Sequence, residues 1–360
     1  MKKNANEYDN TFIKNIARVA VILIVIFVVL YSDRKPSGNL DYEDPDAISI
    51  SERTPGINAD TISSLPETVS DVSSSAQSSS AESHDEIVSE ITGTDSEALL
   101  LLIPNDRIHI GELALIDEKH QCLINGDDYT LLGDEMNSAY RVMDDDILIN
   151  DSVIKPLNEM MRVFMNKYNN SRMAVANGYI SYDEQNDMFE LQGNPEERLE
   201  LDSEVEKAGF SEHQTGYALD LCIYDKTNER YDKYTPYGDF SWIGENCHKY
   251  GFITRYDEDK ESITSKPYQP WHLRYVGTAH ACAMKYNDFC LEEYLDYVKQ
   301  FTYDGNHLKL TDADKENWDI YYVPADTENA DGETLVTVPK NSEYSISGDN
   351  VGGFIVTVKS

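Results

Sequence analysis

Residues 211–225 read "SEHQTGYALDLCIYD", and the fold turns on where this stretch stops turning and starts to extend. From Tyr217 onward the residues alternate. Ala218, Asp220, Cys222 and Tyr224 fall on one face of a strand, and Tyr217, Leu219, Leu221 and Ile223 on the other. Asp220 then shares its face with the small Ala218, which leaves room above the carboxylate. Gly216 marks a bend, beyond which His213 is able to fold back beside Asp220. Some fifty residues later, "YQPWHLRYVG" (268–277) supplies His272 behind the rigid pair Pro270-Trp271. Two imidazoles, one carboxylate and an open fourth position form the ligand set of a catalytic zinc site. Spacing alone leaves the alternative open that these histidines are unrelated.

The surrounding elements frame that strand. "VIKPLNEMMRVFMNKYN" (153–169) carries apolar residues at helical spacing, with Pro156 expected in its first turn. "MAVANGYIS" reads as a strand running into a Gly turn, "DEQNDMFELQ" as a helix, and "DFSWIGENCHKYGF" as a helix ended by Gly251. "LEEYLDYVKQF" is a further amphipathic helix. Strands and helices mix without strict βαβ alternation, so the fold class is α+β. Beyond residue 301 the chain alternates strands with Gly, Asn and Asp turns, which suggests a C-terminal β appendage over 302–360.

Composition narrows the function classes. A net charge of −36 excludes a nucleic-acid binder, because no basic stripe is available to neutralise phosphates. Five cysteines at irregular spacing, with no CxxC pair, form neither a disulfide framework nor a thiolate zinc site. Residues 1–35 contain an apolar run from Val19 to Tyr31, with Lys2, Lys3, Lys14 and Arg18 before it. That bias predicts a single-pass anchor with a cytoplasmic N-terminus and the rest of the chain outside; a cleaved signal peptide is the rival reading. Residues 36–97 are rich in serine and acid and poor in aromatics, so a disordered spacer is expected there. The globular part is expected to run from 98 to 301.

Four separated motifs carry a resemblance. "SEHQTGYALD" matches the pattern SxHxxGxxxD, and "GFITRYDEDKESITSKPYQPWHLRYVG" resembles the second signature of the VanY-type zinc D-Ala-D-Ala carboxypeptidases (peptidase family M15, subfamily B). "NGYISYDEQ" resembles that family's "SGYRSYxxQ" segment, and "LEEYLDYV" its closing helix. The resemblance implies a LAS/hedgehog-type fold, a small antiparallel sheet flanked by helices, and a peptidoglycan stem peptide as substrate. It implies that His213, Asp220 and His272 hold Zn2+, and that Ser211, Tyr217, Gln185 and Trp271 line the substrate pocket. Trp271 and Tyr275 would wall His272, and Arg274 is expected to be an internal charge partner.

Two positions depart from the family's pattern. Gln269 stands where the family carries the glutamate that acts as general base, and Ile180 where it carries an arginine that steadies the oxyanion or substrate. An amide takes no proton at neutral pH, and an alkyl chain offers an oxyanion no charge. Two readings follow. Either other residues substitute, with Glu212 or Glu261 as base and Arg172 or Arg255 as cation, or the domain binds stem peptides at the cell surface with little turnover.

Overall fold

The structure is a computed structural model that describes residues 89–91, 98–123, 128–193 and 205–360. The membrane anchor expected over 1–35 lies outside the described residues. So does the spacer, except at Ser89–Ile91, which form a short strand instead of continuing the spacer to 97. This strand pairs antiparallel with β1 (Ala98–Pro104) at Leu100–Leu102 and satisfies backbone groups that would otherwise lie on an open edge. Among the described residues no helix is long and apolar enough to cross a membrane.

Helix α1 (Asp151–Tyr168) begins two residues earlier than its apolar pattern suggested. The Asn150 side chain accepts the Ser152 N–H and caps it, so Pro156 lies in the second turn, not the first. Val153, Leu157, Met160, Met161 and Phe164 form its buried stripe. At roughly 1.5–3 kcal/mol for each such side chain buried, this stripe is a main attachment of the sheet.

That sheet contains β2 (Met173–Asn177), β3 (Ala218–Asp225), β5 (Phe252–Tyr256) and β6 (Gln269–Tyr275), in the order β2-β3-β6-β5. All these neighbours are antiparallel; β4 (Arg230–Lys233) also pairs antiparallel with β3, and the short Arg141–Val142 strand adds to β2 in parallel. One face packs on α1 through Leu219, Leu221, Ile223 and Leu273. The alternation expected for β3 therefore holds, and Asp220 lies on the other face.

Helix α2 (Tyr182–Gly193) follows β2. The stretch expected as one helix before Gly251 is broken: 3₁₀ turns at Gly238–Phe240 and Cys247–Tyr250 flank a short α-helix, Ser241–Asn246. Gly251, at φ 83°, ends it as expected. Helix α3 (Thr278–Asn287) has no amphipathic signature, because every residue from Ala279 to Met284 is buried. Helix α4 (Leu291–Val298) buries Leu291, Tyr294, Leu295 and Val298 in a second core cluster with α3 and with Ile253, Ile320 and Ile355.

The C-terminal region forms a four-stranded antiparallel sheet of β7 (Leu308–Thr311), β8 (Asn317–Pro324), β10 (Tyr344–Gly348) and β11 (Gly353–Lys359), in the order β7-β8-β11-β10. β9 (Glu333–Pro339) leaves that sheet and pairs along its whole length with β1. The first strand of the globular part is thus shared with the last sixty residues, and Leu101 and Ile103 pack with Val336, Val338 and Phe354.

Candidate metal centre

The antiparallel register of β3 and β6 sets His272 directly opposite Asp220. Paired residues share a face, so both side chains leave the α1 core and meet above the sheet. His272 Nδ1 lies 2.9 Å from Asp220 Oδ1. His213 arrives from the preceding turn. Glu212–Thr215 form a 3₁₀ turn that ends at Gly216 in the left-handed region, φ 72°. The Gly216 N–H donates to the His213 carbonyl, and a Cβ at Gly216 would sit 2.5 Å from the Tyr129 ring. The turn returns His213 Nε2 to 3.3 Å from Asp220 Oδ2. One ligand atom from each of His213, Asp220 and His272 lies within 4.8 Å of the others.

The partners behind these atoms decide what the cluster can hold. His213 Nδ1 donates to the Gly178 carbonyl at 2.7 Å, which leaves the Nε2 lone pair facing Asp220. Gly178 is required there, since a Cβ would lie 2.2 Å from the Leu148 carbonyl oxygen. His272 Nε2 faces the Glu212 carboxylate at 3.4 Å, so a proton on Nε2 leaves the Nδ1 lone pair toward Asp220. Two lone pairs and a carboxylate converge on one small volume. Such acceptors repel unless a positive charge lies between them, and a divalent cation with N and O ligands fits. Asn177, brought opposite Asp220 by a bulge in β2, donates to Oδ2 at 3.0 Å and steadies the carboxylate.

The electrostatics agree. Burial works against ionisation of Asp220, yet His213 and His272 hold its carboxyl well below the usual range. Burial likewise disfavours a charged His272, but its hydrogen bonds to Asp220 and Glu212 push it up to about 9. With no cation, the cluster draws a proton instead.

Glu212 is neither a surface charge nor a candidate base. Its carboxylate is 1% exposed and takes hydrogen bonds from Arg255 Nε at 2.8 Å and Arg274 Nη1 at 3.0 Å. Burial opposes its charge, but the two guanidiniums and His272 keep its carboxyl well below the usual range, where it takes no proton. Arg255 is consumed behind His272, and Arg172 donates to the Tyr224 carbonyl. Glu261 is exposed at the start of a short helix, Glu261–Thr264. Arg274 is fully buried, with Glu212 and the Glu112 and Ala114 carbonyls as partners, the internal role expected of it.

Gln269 opens β6 opposite Tyr256, where the register shifts, and is buried. Ile180 is also buried, against Met188; its N–H donates to the His213 carbonyl, so its backbone steadies the ligand turn. Ser211 is buried beside that turn, and Tyr217 is half-buried under the Arg274 guanidinium. Trp271 is half-buried, with the Lys233 ammonium 4.7 Å from its ring centre. Gln185 is 1% exposed and its amide donates to the Glu206 carbonyl, tying α2 to the segment after it. Sequence reasoning missed Asn177, Gly178 and Tyr256, whose ring stacks on His272 at 5.2 Å. The "ANG" run before the turn was the available signal for the first two.

A family model described as VanY: D-alanyl-D-alanine carboxypeptidase matches residues 146–278. The chain is 35% identical over 273 residues to a D-alanyl-D-alanine carboxypeptidase of Enterococcus faecium, spanning 75% of this chain and 82% of that one. The chain belongs to this family. It is also 35% identical over 132 residues to the bifunctional D-Ala-D-Ala dipeptidase and carboxypeptidase VanXYC of Enterococcus gallinarum, covering 36% of this chain and 68% of that one. Among solved structures it is similar to the D,D-dipeptidase VanXYg in complex with a D-Ala-D-Ala phosphinate analogue, with a TM-score of 0.62 and 28% identity over 73% of this chain and 99% of that one. The VanY family model covers every ligand position and both departures, Ile180 and Gln269.

Proposed function

We propose that this VanY-type protein is a zinc D-alanyl-D-alanine carboxypeptidase acting on peptidoglycan stem peptides, with turnover restrained by Gln269 and Ile180. The convergence of His213, Asp220 and His272, each with an outer partner that aims its ligand atom inward, carries the reading. The similar VanXYg structure holds a D-Ala-D-Ala phosphinate analogue, which supports a D-Ala-D-Ala terminus as ligand. Bound there, zinc would supply Lewis acidity toward a carbonyl and a bound water of lowered pKa.

The chain's own residues then set the rate. Gln269 orients a water through its amide but takes no proton from it. The missing base accounts for a loss of about 10²- to 10⁴-fold. Ile180 adds no charge for an oxyanion, a loss of about 10²- to 10³-fold where such a donor is removed. Tyr217 and Trp271 pack against the core on the α1 side and Ser211 is buried beside the ligand turn, so these three support the ligand strands from behind. The N-terminal segment, residues 1–35, anchors the protein in the cell membrane with its peptidase domain outside, and residues 36–97 give it reach toward the wall.

The second reading, a surface binder of stem peptides, is favoured by the same pair of substitutions, since neither residue supplies a ligand atom. Release of D-Ala from a pentapeptide ending in D-Ala-D-Ala, with and without EDTA, separates the two. Slow, chelator-sensitive release supports the carboxypeptidase. Peptide binding without any release supports the binder.

A further inference from the structure

Behind His272 lies a buried chain of charge that the reaction itself does not use. Glu212 Oε2 faces His272 Nε2, while its Oε1 takes hydrogen bonds from Arg255 and Arg274. Arg255 continues outward. Its Nη1 and Nη2 donate to both oxygens of Glu292, at 2.9 and 2.7 Å, and Glu292 stands in the first turn of α4. Arg274 is anchored separately by the Glu112 and Ala114 carbonyls at 2.9 Å each. Two carboxylates and two guanidiniums alternate, so the chain is neutral as a whole and every charge has an opposite neighbour. The Arg255 guanidinium also lies 4.9 Å from the centre of the Tyr256 ring, and that ring stacks on His272 at 29°.

We propose that Glu212, Arg255 and Glu292 are positioning residues for the metal centre, and that helix α4 fixes the tautomer and rotation of His272 through them. Three observations carry this. Glu212 immediately precedes the ligand His213 yet orients the opposite ligand, so a single 3₁₀ turn supplies one ligand and aims the other. Both guanidiniums hold the Glu212 carboxylate at one oxygen, which leaves the second oxygen a single direction, toward Nε2. The bidentate Arg255–Glu292 pair fixes the guanidinium plane in a way a lysine could not. Outer partners of this kind typically change metal affinity 10- to 100-fold.

This inference rests on the metal reading of the site, and its test keeps the two apart. Zinc dissociation constants are measured on the full chain by competition with a chromophoric chelator, together with the melting temperature of the zinc-free protein. Glu212→Gln is expected to weaken zinc binding about 10- to 100-fold, and Glu292→Gln by a smaller factor, about 3- to 10-fold. Asp312→Asn, a buried carboxylate in the β7–β8 turn, serves as a control and should leave zinc affinity unchanged. Where Glu212→Gln does not accumulate as folded protein, Glu292→Gln decides alone, since its side chain is 16% exposed and the buried Arg255 guanidinium it leaves still has Glu212 as partner. Lower melting temperatures with zinc affinity within twofold of the unmodified chain would reduce these residues to packing and overturn the proposal. An unmodified chain that binds no zinc overturns the metal reading itself.

Discussion

The two ends of strand β6 have met different fates. At the His272 end, every ligand and every partner behind it is in place: Asp220 across the strand pair, Glu212 on the far nitrogen, Tyr256 against the ring. At the Gln269 end, three residues away, the group that would move a proton is an amide. Ile180, whose N–H donates to the His213 carbonyl, packs against Met188 and offers no charge. On the proposed function, holding the cation and moving the proton fall to separate side chains, so one can change while the other stays.

The comparison is broken most directly by restoring the altered end. Gln269→Glu should raise the rate of D-Ala release by about 10²- to 10⁴-fold while zinc affinity stays within a few-fold. An unchanged rate would mean that the proton-moving group is not what limits the site. Ile180→Arg, built on Gln269→Glu, should add at most about 10²- to 10³-fold in rate. It should also cost stability, about 1–3 kcal/mol, because the position is buried against Met188. Steady-state kinetics and calorimetry on the double variant check both effects.

The ligand end can be loosened without touching a ligand. Gly216→Ala places a Cβ at φ 72° and against the Tyr129 ring, so the His213 turn must shift. Stability should fall by about 1–3 kcal/mol, with weaker zinc binding. Unaltered zinc affinity in that variant would show that the turn does not aim His213.

The smallest effect concerns pH. Folding raises the affinity of His272 for a proton, so the zinc-free protein has this stabilisation in full below about 6.5 and loses it as pH rises through about 9. Its melting temperature should therefore drop by on the order of a few degrees across that window. Zinc should flatten the dependence, since the ligands then bind the ion in place of protons. A zinc-free protein whose melting temperature is flat from pH 6.5 to 9 would contradict this.

The ligand set was legible in the sequence through the family resemblance: the Gly bend and the alternation bring His213 near Asp220, but spacing alone left His272, 52 residues beyond Asp220, open as an unrelated residue. The face assignment of β3 followed from period alone. What escaped was non-local or featureless. Glu212 read as a candidate base, since nothing in the chain shows that Arg255 and Arg274, some forty and sixty residues on, close over it. Helix α3 escaped because a helix buried on all sides has no stripe. Pro156 was placed a turn too early because the cap, Asn150, precedes the apolar run. The pairing of β1 with β9 joins residues more than two hundred positions apart, which no local pattern encodes.

The central claim is a single cation held by two imidazoles and one carboxylate, and metal analysis of the purified full chain tests it most directly. The account predicts one equivalent of zinc per chain, removed by EDTA and absent from His272→Ala. A chain that carries no zinc after exposure to the metal, or a His272→Ala variant that binds it as tightly as the unmodified protein, would contradict it.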